Sequence, residues 1–361
     1  MKKLRIAQVG AIWETTPPPL YGGTERIVYN LTEELVRHGH DVTLFATGDS
    51  KTSGKLESVY PRALYRDGIP WSNPLYPLLH ITNAFDKADQ FDVIHMHLNT
   101  RQDYVALAFA SWIKTPVVVT IHFVMPGEND PAKQDRLLLL KKYKKNNFVT
   151  ISNAQRTLSF LNYAGTVYNG LDFSEFKFNP KPENYLAWLG RFCHDKGTYE
   201  AIQVAKKTGM KLIMGGKIDW ANEEYKKYYE EKVKPHIDGK QIVYLGELGD
   251  KEKIELLRNA KALLNPINWN EPFGLVTIEA MACGTPVIAF DNGPVREQII
   301  EGKTGFIVKN IDEMAEAVGK IGKIDRAFCQ KHAVQHFSAK AMAEGYERVY
   351  EKVLASYLKK V

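Results

Sequence analysis

Two glutamates, Glu271 and Glu279, lie eight positions apart in the segment of this chain that is best suited to bind a ligand. A proline and a glycine follow Glu271, which predicts a loop, and Val276–Ala282 has the spacing of a helix. The backbone N–H groups of Phe273–Val276 would then be unpaired at the start of that helix, where they can bind a phosphate. Both carboxylates can accept hydrogen bonds from hydroxyl groups. The alternative is a buried helix with two solvated glutamates.

A pair of glycines, Gly22 and Gly23, offers a second place for a phosphate. The pair precedes a helix predicted to begin at Thr24, and without side chains its backbone can approach a diphosphate closely. A glycine pair by itself usually marks a turn. The spacing G-x-G-x-x-G does not follow the first predicted strand, so the sequence lacks the fingerprint of a nicotinamide-binding domain.

Three histidines stand at or near the ends of predicted strands. His95 and His97 are two positions apart, so both side chains lie on one face of their strand. Metal binding would need a third ligand, and no nearby carboxylate is an evident one, so packing and hydrogen bonding are the favoured roles. His122 follows another strand, and its position alone leaves a structural role and a role in a site equally open.

These residues are expected at the ends of buried strands. Short apolar runs rich in Val and Ile alternate with segments of helical spacing, which is typical of parallel sheets covered by helices on both faces. The pattern pauses at 169–183, where turn residues and two prolines without clear periodicity predict an interdomain connection, and then restarts. The sequence therefore predicts an α/β fold with two doubly wound domains that bind ligands at the carboxyl ends of their strands. The predicted strands are Arg5–Val9, Val42–Ala46, Val93–His95, Val117–Ile121, Phe148–Ile151, Tyr185–Leu189, Leu212–Met214, Ile242–Leu245, Ala262–Leu264, Val287–Phe290 and Phe306–Val308.

Two helices have recognisable ends in the sequence. Apolar residues spaced by four from Ile27 to Leu35 predict a helix that ends with two cations in its last turn, followed by Gly39. Ser338 can cap a last helix, whose apolar stripe runs through 342–357 at three- and four-residue steps.

The composition is that of an ordinary globular protein. The 361 residues are 44% hydrophobic and 25% charged, which predicts about two domains and excludes a disordered chain or a disulfide scaffold. The three cysteines lie far apart and outside any zinc-binding spacing, so we expect reduced thiols. A net charge of +6 is too small to predict binding to nucleic acid, but it suits a phosphate-bearing ligand or an anionic membrane surface.

Membrane contact is predicted at most at a surface. No apolar run reaches the roughly 18 residues that a membrane span needs, and the N-terminus lacks the features of a signal peptide, so we expect a cytoplasmic protein. The basic run Lys141–Lys145 is typical either of a solvated helix end, which its short length favours, or of contact with anionic headgroups at the inner face of the membrane.

The segment around the two glutamates resembles the signature of family 4 glycosyltransferases, a retaining family of GT-B fold. The resemblance covers nearly the whole chain, and 21–50 and 267–289 are most similar to the branch that includes the avilamycin-type glycosyltransferases. The motifs that carry it further are Tyr21–Arg26 as the glycine loop, Asp92–His97 and Val119–His122 as the strand-end histidine motifs, Asn169–Asp172 as the interdomain motif, and Leu189–Arg191 with Lys196-Gly197 as the phosphate-binding pair.

The resemblance implies a role for each candidate residue. Arg191 and Lys196 would hold the donor diphosphate and neutralise the leaving group, and two cations after a strand can stabilise the charge that grows as the glycosidic C–O bond breaks. Outside such a motif they would be a charged surface turn. Glu271 would accept hydrogen bonds from donor-sugar hydroxyls, Glu279 from the ribose, and His122 would lie near the C6 hydroxyl of the donor. Backbone contacts to phosphate and sugar would come from Phe273, Gly274, Leu275 and Val276.

The implied protein is a retaining glycosyltransferase with two Rossmann-like domains that face a cleft. It would move a hexose from a UDP- or GDP-sugar, its donor substrate, to a hydroxyl of a glycan, a lipid-linked sugar or a small molecule, with no cofactor. No Asp-x-Asp spacing occurs, which agrees with a site that uses Arg and Lys in place of a metal. The implied divisions are an acceptor-binding domain at 1–170, a nucleotide-sugar-binding domain at 171–337, and a helix at 338–361 that crosses back to pack on the first domain.

Two other functions remain open from the sequence. A sugar-nucleotide epimerase of the same architecture would convert the donor without any acceptor. A non-catalytic protein would bind the nucleotide sugar and leave it unchanged, although every donor-side motif residue is present.

Overall fold

Each half of the chain folds around its own parallel β-sheet. In this computed structural model, the described residues are 2–20, 22–127 and 130–358. Tyr21 of the predicted glycine loop and residues 128 and 129 lie outside them. The chain divides into unit 1, Met1–Asp172 with Ser338–Val361, and unit 2, Phe173–Phe337.

Unit 1 contains a seven-stranded sheet in the order β3-β2-β1-β4-β5-β6-β7, and each pair of neighbours is parallel. The register places Ile6 beside Val42 on one side and Val93 on the other. The strands are β1 Arg5–Val9, β2 Asp41–Phe45, β3 Lys55–Glu57, β4 Val93–Leu98, β5 Val117–Ile121, β6 Asn147–Thr150 and β7 Tyr163–Thr166. The α-helices are α1 Gly23–Arg37, α2 Leu75–Phe85, α3 Ala106–Phe109, α4 Gln134–Lys142 and, from the end of the chain, α12 Ala339–Leu358.

Unit 2 contains a six-stranded parallel sheet in the order β10-β9-β8-β11-β12-β13. The strands are β8 Tyr185–Leu189, β9 Lys211–Gly215, β10 Ile242–Tyr244, β11 Ala262–Asn265, β12 Val287–Phe290 and β13 Gly305–Val308. The α-helices are α5 Thr198–Thr208, α6 Glu223–Tyr228, α7 Asp250–Asn259, α8 Leu275–Ala282, α9 Val295–Gln298, α10 Ile311–Lys320 and α11 Arg326–Phe337.

The predicted fold class is confirmed: two Rossmann-like α/β units with parallel sheets. The predicted strands coincide with observed ones to within a few residues because both sheets are buried and their central strands are mainly apolar. The sequence analysis missed β3 and β7. β3 is an exposed edge strand with the sequence Lys-Leu-Glu, and β7 contains a glycine, so neither has the apolar run by which a buried strand is recognised.

Both helices with recognisable ends form as predicted. Ile27, Leu31 and Leu35 of α1 are buried, and Gly39 adopts a φ of 91° after the helix ends. The hydroxyl of Ser338 accepts a hydrogen bond from the backbone N–H of Ala341 at 3.2 Å, which caps α12. Among the described residues, no helix is both long and apolar enough to cross a membrane.

The helix α12 belongs to unit 1 and completes its core. Tyr346 and Tyr350 are fully buried there. Gly345, on the same helix, meets Val167, which follows β7: a Cβ at this glycine would lie 2.8 Å from Cγ1 of the valine. The absence of a side chain at residue 345 therefore sets how closely α12 approaches the end of β7.

We expect Gly345→Ala to destabilise the protein by about 1–2 kcal/mol, since the added methyl overpacks against a branched side chain. The matched control is Gly319→Ala in α10, where no atom lies within 4 Å of the new Cβ. There alanine should stabilise by up to about 1 kcal/mol through its helix propensity. Urea unfolding of both variants measures the difference, and equal stabilisation by the two alanines would contradict the close approach of α12.

Candidate active site

The candidate residues of unit 2 follow two neighbouring strands at the point where the strand order reverses. β8 pairs with β9 on one side and with β11 on the other. The chain therefore moves outward in opposite directions after these two strands, which leaves a crevice at their carboxyl ends. Arg191 and Lys196 follow β8, whereas Glu271 and the start of α8 follow β11.

An ion pair joins the two loops. The Lys196 ammonium donates to both carboxylate oxygens of Glu271, at 2.6 Å each. The side chains are 21% and 17% exposed, so both members of the pair are partly buried. The carboxylate is drawn inward because Lys196 satisfies both of its oxygens. Partial burial strengthens such a pair relative to one in open solvent.

Close backbone contacts hold the two loops in place. Gly197 has a φ of 67°, and a Cβ there would lie 1.9 Å from the carbonyl oxygen of Pro266, so only glycine fits beside the loop after β11. The Trp188 indole N–H donates to the carbonyl of Lys196 at 3.2 Å. These contacts fix the main chain of the loops that carry the lysine and the glutamate.

Two aromatic side chains flank the cations of this site. The Lys196 ammonium lies 5.8 Å from the ring of Trp269, and the Arg191 guanidinium lies 6.0 Å from the ring of Tyr225. These distances are at the limit of a cation–π interaction. The sequence analysis missed both rings. For Trp269 a signal existed, since it precedes the glutamate motif by two residues.

A loop leads into the helix α8, as predicted from the proline and glycine. Gly274 caps the helix with a φ of 82°, a conformation that other residues rarely adopt. The Gln298 amide donates to the carbonyl of Phe273 at 2.8 Å and fixes the residue before the turn. Leu275 and Val276 follow as the first helical residues, where N–H groups lack intrahelical acceptors.

Glu279 lies one turn into α8 and is buried, with 6% of its side chain exposed. It accepts a hydrogen bond from the ammonium of Lys253 at 2.7 Å, which comes from α7. A buried carboxylate needs such a partner. The sequence carries no signal for this pairing, because 26 residues and a strand separate the two side chains.

The remaining candidates, Gly22, Gly23 and His122, lie in unit 1. Gly22 precedes α1 and Gly23 is its first residue. The Thr24 hydroxyl, in the first turn, donates to the side-chain oxygen of Asn99, after β4, at 2.8 Å. His122 follows β5, and its backbone N–H donates to the carbonyl of Leu98 at 3.0 Å. All three therefore stand at the carboxyl edge of their sheet. Burial raises the pKa of the neighbouring Glu25 carboxyl to about 7.

His122 is linked to the two histidines of β4. Its Nε2 lies 2.9 Å from Nδ1 of His97, whose Nε2 lies 2.7 Å from the side-chain oxygen of Gln8. Burial lowers the pKa of His122 to about 3 and those of His95 and His97 well below their usual value, so all three rings are neutral. The favoured role of His95 and His97, packing and hydrogen bonding, agrees with this arrangement. The described residues contain no group of three His, Cys, Asp or Glu side chains that could hold a metal ion.

Glu25 provides a test of the electrostatics beside the glycine pair. Its pKa of about 7 lies above the usual 4.5, so the stability that it contributes is complete below pH 4.5 and is lost as the pH rises through 7. We expect Glu25→Gln to stabilise the protein more at pH 8 than at pH 5.5, by at least about 1 kcal/mol. Urea unfolding at both pH values measures this, with the exposed Glu351→Gln as control. An equal effect of Glu25→Gln at the two pH values would contradict burial of a carboxylate here.

Comparison with known proteins agrees with this geometry. A family model described as Glycosyltransferase Family 4 matches residues 21–174, and one described as Glycosyl transferases group 1 matches residues 172–332. An uncharacterized glycosyltransferase of Methanocaldococcus jannaschii is 26% identical over 359 residues, which cover 88% of this chain and 89% of that protein.

Two solved structures share the fold. AviGT4, a glycosyltransferase involved in avilamycin A biosynthesis, is 23% identical with a TM-score of 0.71 and 98% of each chain covered. HepE of Anabaena, solved in complex with UDP-glucose, is 18% identical with a TM-score of 0.69, and 99% of this chain and 100% of that chain are covered. Since the two family models together span both units, this chain is a GT-B glycosyltransferase of the family 4 type.

Proposed function

We propose that this glycosyltransferase moves a hexose, with retention of the anomeric configuration, from a UDP- or GDP-sugar to a hydroxyl acceptor. The observation that carries the proposal is the ion pair between Lys196 and Glu271. The pair supports the proposal because an ammonium, which suits a phosphate, and a carboxylate, which suits sugar hydroxyls, lie side by side at the switch point of the unit 2 sheet. A nucleoside diphosphate sugar presents those two chemical groups next to each other.

When the donor binds, its diphosphate replaces Glu271 as the ion-pair partner of Lys196. Once the ammonium turns to the phosphate, both oxygens of the carboxylate can accept hydrogen bonds from hydroxyls of the hexose. Arg191 and the backbone N–H groups at the start of α8, with Phe273 and Gly274 shaping the turn, stabilise the remaining phosphate charge. Binding of the donor therefore exchanges one ion pair for contacts to both halves of the ligand.

Glu279 accepts a hydrogen bond from the ribose. Its pairing with Lys253 keeps the carboxylate ionised and oriented while leaving acceptor capacity for a hydroxyl. In unit 1, we assign Gly22, Gly23 and His122 to substrate binding, since they lie at the carboxyl edge of that sheet, where such folds bind ligands.

We expect retention because the negative charge of the leaving group is stabilised on the diphosphate side of the sugar, where the acceptor also attacks. As the glycosidic C–O bond breaks, Arg191 and Lys196 stabilise the negative charge on the departing phosphate oxygen. The acceptor hydroxyl attacks from the same face and gives its proton to that oxygen, so no opposing base is needed. Two cations and the backbone donors supply the charge that a divalent ion would otherwise supply, and no metal is required.

The last part of the proposal concerns the nucleobase of the donor, the compartment of the protein and the surroundings of the acceptor. HepE was solved with UDP-glucose, which supports a UDP-sugar as donor here.

We assign the protein to the cytoplasm, with peripheral contact to anionic lipid through the end of α4. There Lys141 and Lys142 are exposed, and Leu138, one turn earlier, is 63% exposed, so apolar and basic groups share a face. This contact would suit a lipid-linked sugar as acceptor.

Substitution of the two partners should have opposite effects on UDP binding. We expect Lys196→Ala to weaken UDP binding and to lower kcat by about 10²-fold or more. Glu271→Ala should also abolish most transfer, yet bind UDP as well as wild type or better, because Lys196 is released from its pair. Calorimetric titration with UDP and product analysis measure both effects. The control is Lys207→Ala, which removes an exposed ion pair with Asp312 in the same unit. Weakened UDP binding in Glu271→Ala, or full transfer by either site variant, would refute the assignment.

The stereochemistry and the metal requirement form a separate test. We expect an α-linked donor to give an α-linked product, with a rate that EDTA leaves unchanged. NMR of the product reports the anomer, and release of UDP in chelated buffer reports the rate. A β-linked product, an activity restored only by Mg²⁺ or Mn²⁺, or an epimerised donor without transfer would each overturn this mechanism.

A further inference from the structure

Seven buried or partly buried side chains of unit 1 form one continuous chain of hydrogen bonds. It begins at His122, passes through β4, β1 and β5, and ends on α12. The successive heavy-atom distances are 2.9 Å from His122 to His97, 2.7 Å to Gln8, 3.0 Å to Tyr350, 2.7 Å to His95, 2.7 Å to Thr120 and 3.1 Å to Tyr346. The members other than His122 are fully buried or nearly so.

We propose that this chain holds His122 in the tautomer whose proton is on Nε2. The unprotonated Nδ1 of His122 then accepts a hydrogen bond from the substrate. Gln8, His97 and Tyr350 are the positioning residues of His122. The role in catalysis rests on the proposed function, in which His122 contacts the substrate.

The amide of Gln8 sets the direction of the protons toward His122. An amide oxygen can only accept, so the Nε2 of His97 that faces it must carry a proton. A neutral imidazole has one N–H, which leaves Nδ1 of His97 as an acceptor. His122 must therefore donate to it from Nε2, and its own Nδ1 carries no proton.

The other arm of the chain begins at the amide nitrogen of Gln8. The amide nitrogen of Gln8 donates to the Tyr350 hydroxyl, which in turn is free to donate to Nδ1 of His95. His95 then donates from Nε2 to the hydroxyl oxygen of Thr120. If the amide were turned around, every proton in the chain would reverse, and His122 would become a donor through Nδ1. The Tyr350 hydroxyl therefore influences a group that it does not touch.

Burial makes the order cooperative. A single reversed member would place two donors or two acceptors face to face, away from water that could satisfy them. The rings also stack, with centroids 4.0 Å apart for His95 and His97 and 5.2 Å apart for His97 and His122, so a flip of one imidazole disturbs its neighbour. An acceptor at His122 suits a sugar hydroxyl, which can donate to it, and excludes a role as proton donor.

The tautomers can be read directly from two-bond ¹H–¹⁵N spectra of the full-length, ¹⁵N-histidine-labelled protein at pH 7 without substrate. His80 serves as the internal standard. Its Nε2 lies 2.9 Å from the carbonyl oxygen of Gly10, which can only accept, so its proton is on Nε2. We expect His97 and His122 to show the same pattern as His80. A proton on Nδ1 of His122, or a mixture of both tautomers, would overturn the proposal.

Two matched tyrosine variants test the positioning role. Tyr350→Phe removes the hydroxyl that accepts from the Gln8 amide nitrogen. The amide then has no partner at this end, and we expect mixed tautomers at His122 and about a tenfold lower kcat, with little change in UDP affinity. Tyr346→Phe removes an equally buried hydroxyl at the far end of the chain, and the tautomer of His122 should stay as in wild type. A single Nε2–H tautomer in Tyr350→Phe, or an unchanged kcat, would refute the role of this hydroxyl.

Substitution of His97 separates proton order from packing. In His97→Gln, the new amide can donate to Gln8 and accept from His122, so His122 should keep its proton on Nε2. In His97→Leu, a side chain of similar bulk offers no acceptor, and the order should be lost. Equal spectra for the two variants would show that packing alone sets the tautomer. If wild type transfers no sugar, the proposed function and the positioning role both fail, whereas the spectra still decide the proton order.

Discussion

Parallel strands impose the constraint on which both units depend. A chain that leaves one strand must cross back to the opposite edge before the next can begin, so all loops that follow strands gather at one edge of the sheet. In unit 2 this brings Lys196, after β8, next to Glu271, after β11. Seventy-five residues separate the lysine from the glutamate, and no local interaction could have joined them. The ion pair exists because β8 and β11 are neighbours at the point where the strand order reverses.

The sequence predicts the buried strands, because burial acts on several residues of each strand. It does not predict pairings that depend on one contact between two side chains. The central strands could be predicted because each is mainly apolar, whereas the edge strand β3 is exposed and has charged residues at both ends. The turn before α8 could be predicted from a proline and a glycine. The partner of Glu279 could not, because Lys253 comes from another helix and is one of many lysines. A sign of the buried network was present, since Gln8 is a polar residue inside the apolar strand β1.

Polar groups inside these sheets are tolerated only because each has a defined partner. A buried carboxylate such as Glu279 or an imidazole such as His97 would oppose folding if left without a hydrogen bond. The same requirement limits how each group can be oriented, since an imidazole that donates at one nitrogen must accept at the other. Satisfying the core and orienting the candidate site are thus two results of one set of hydrogen bonds. Substitutions deep in the sheet can therefore alter chemistry at its edge.

The position of α12 has a consequence for how the protein is made. Ribosomal synthesis produces the strands of unit 1 first, then the whole of unit 2, and only afterwards the helix that carries Tyr346 and Tyr350. Domains tend to fold as they emerge. Here the first unit to emerge must wait with part of its apolar surface uncovered and with Gln8 and His95 lacking the hydroxyl that joins them. The second unit, contiguous in sequence, can complete its fold during that interval. Nascent unit 1 thus keeps an incomplete core until α12 has been made.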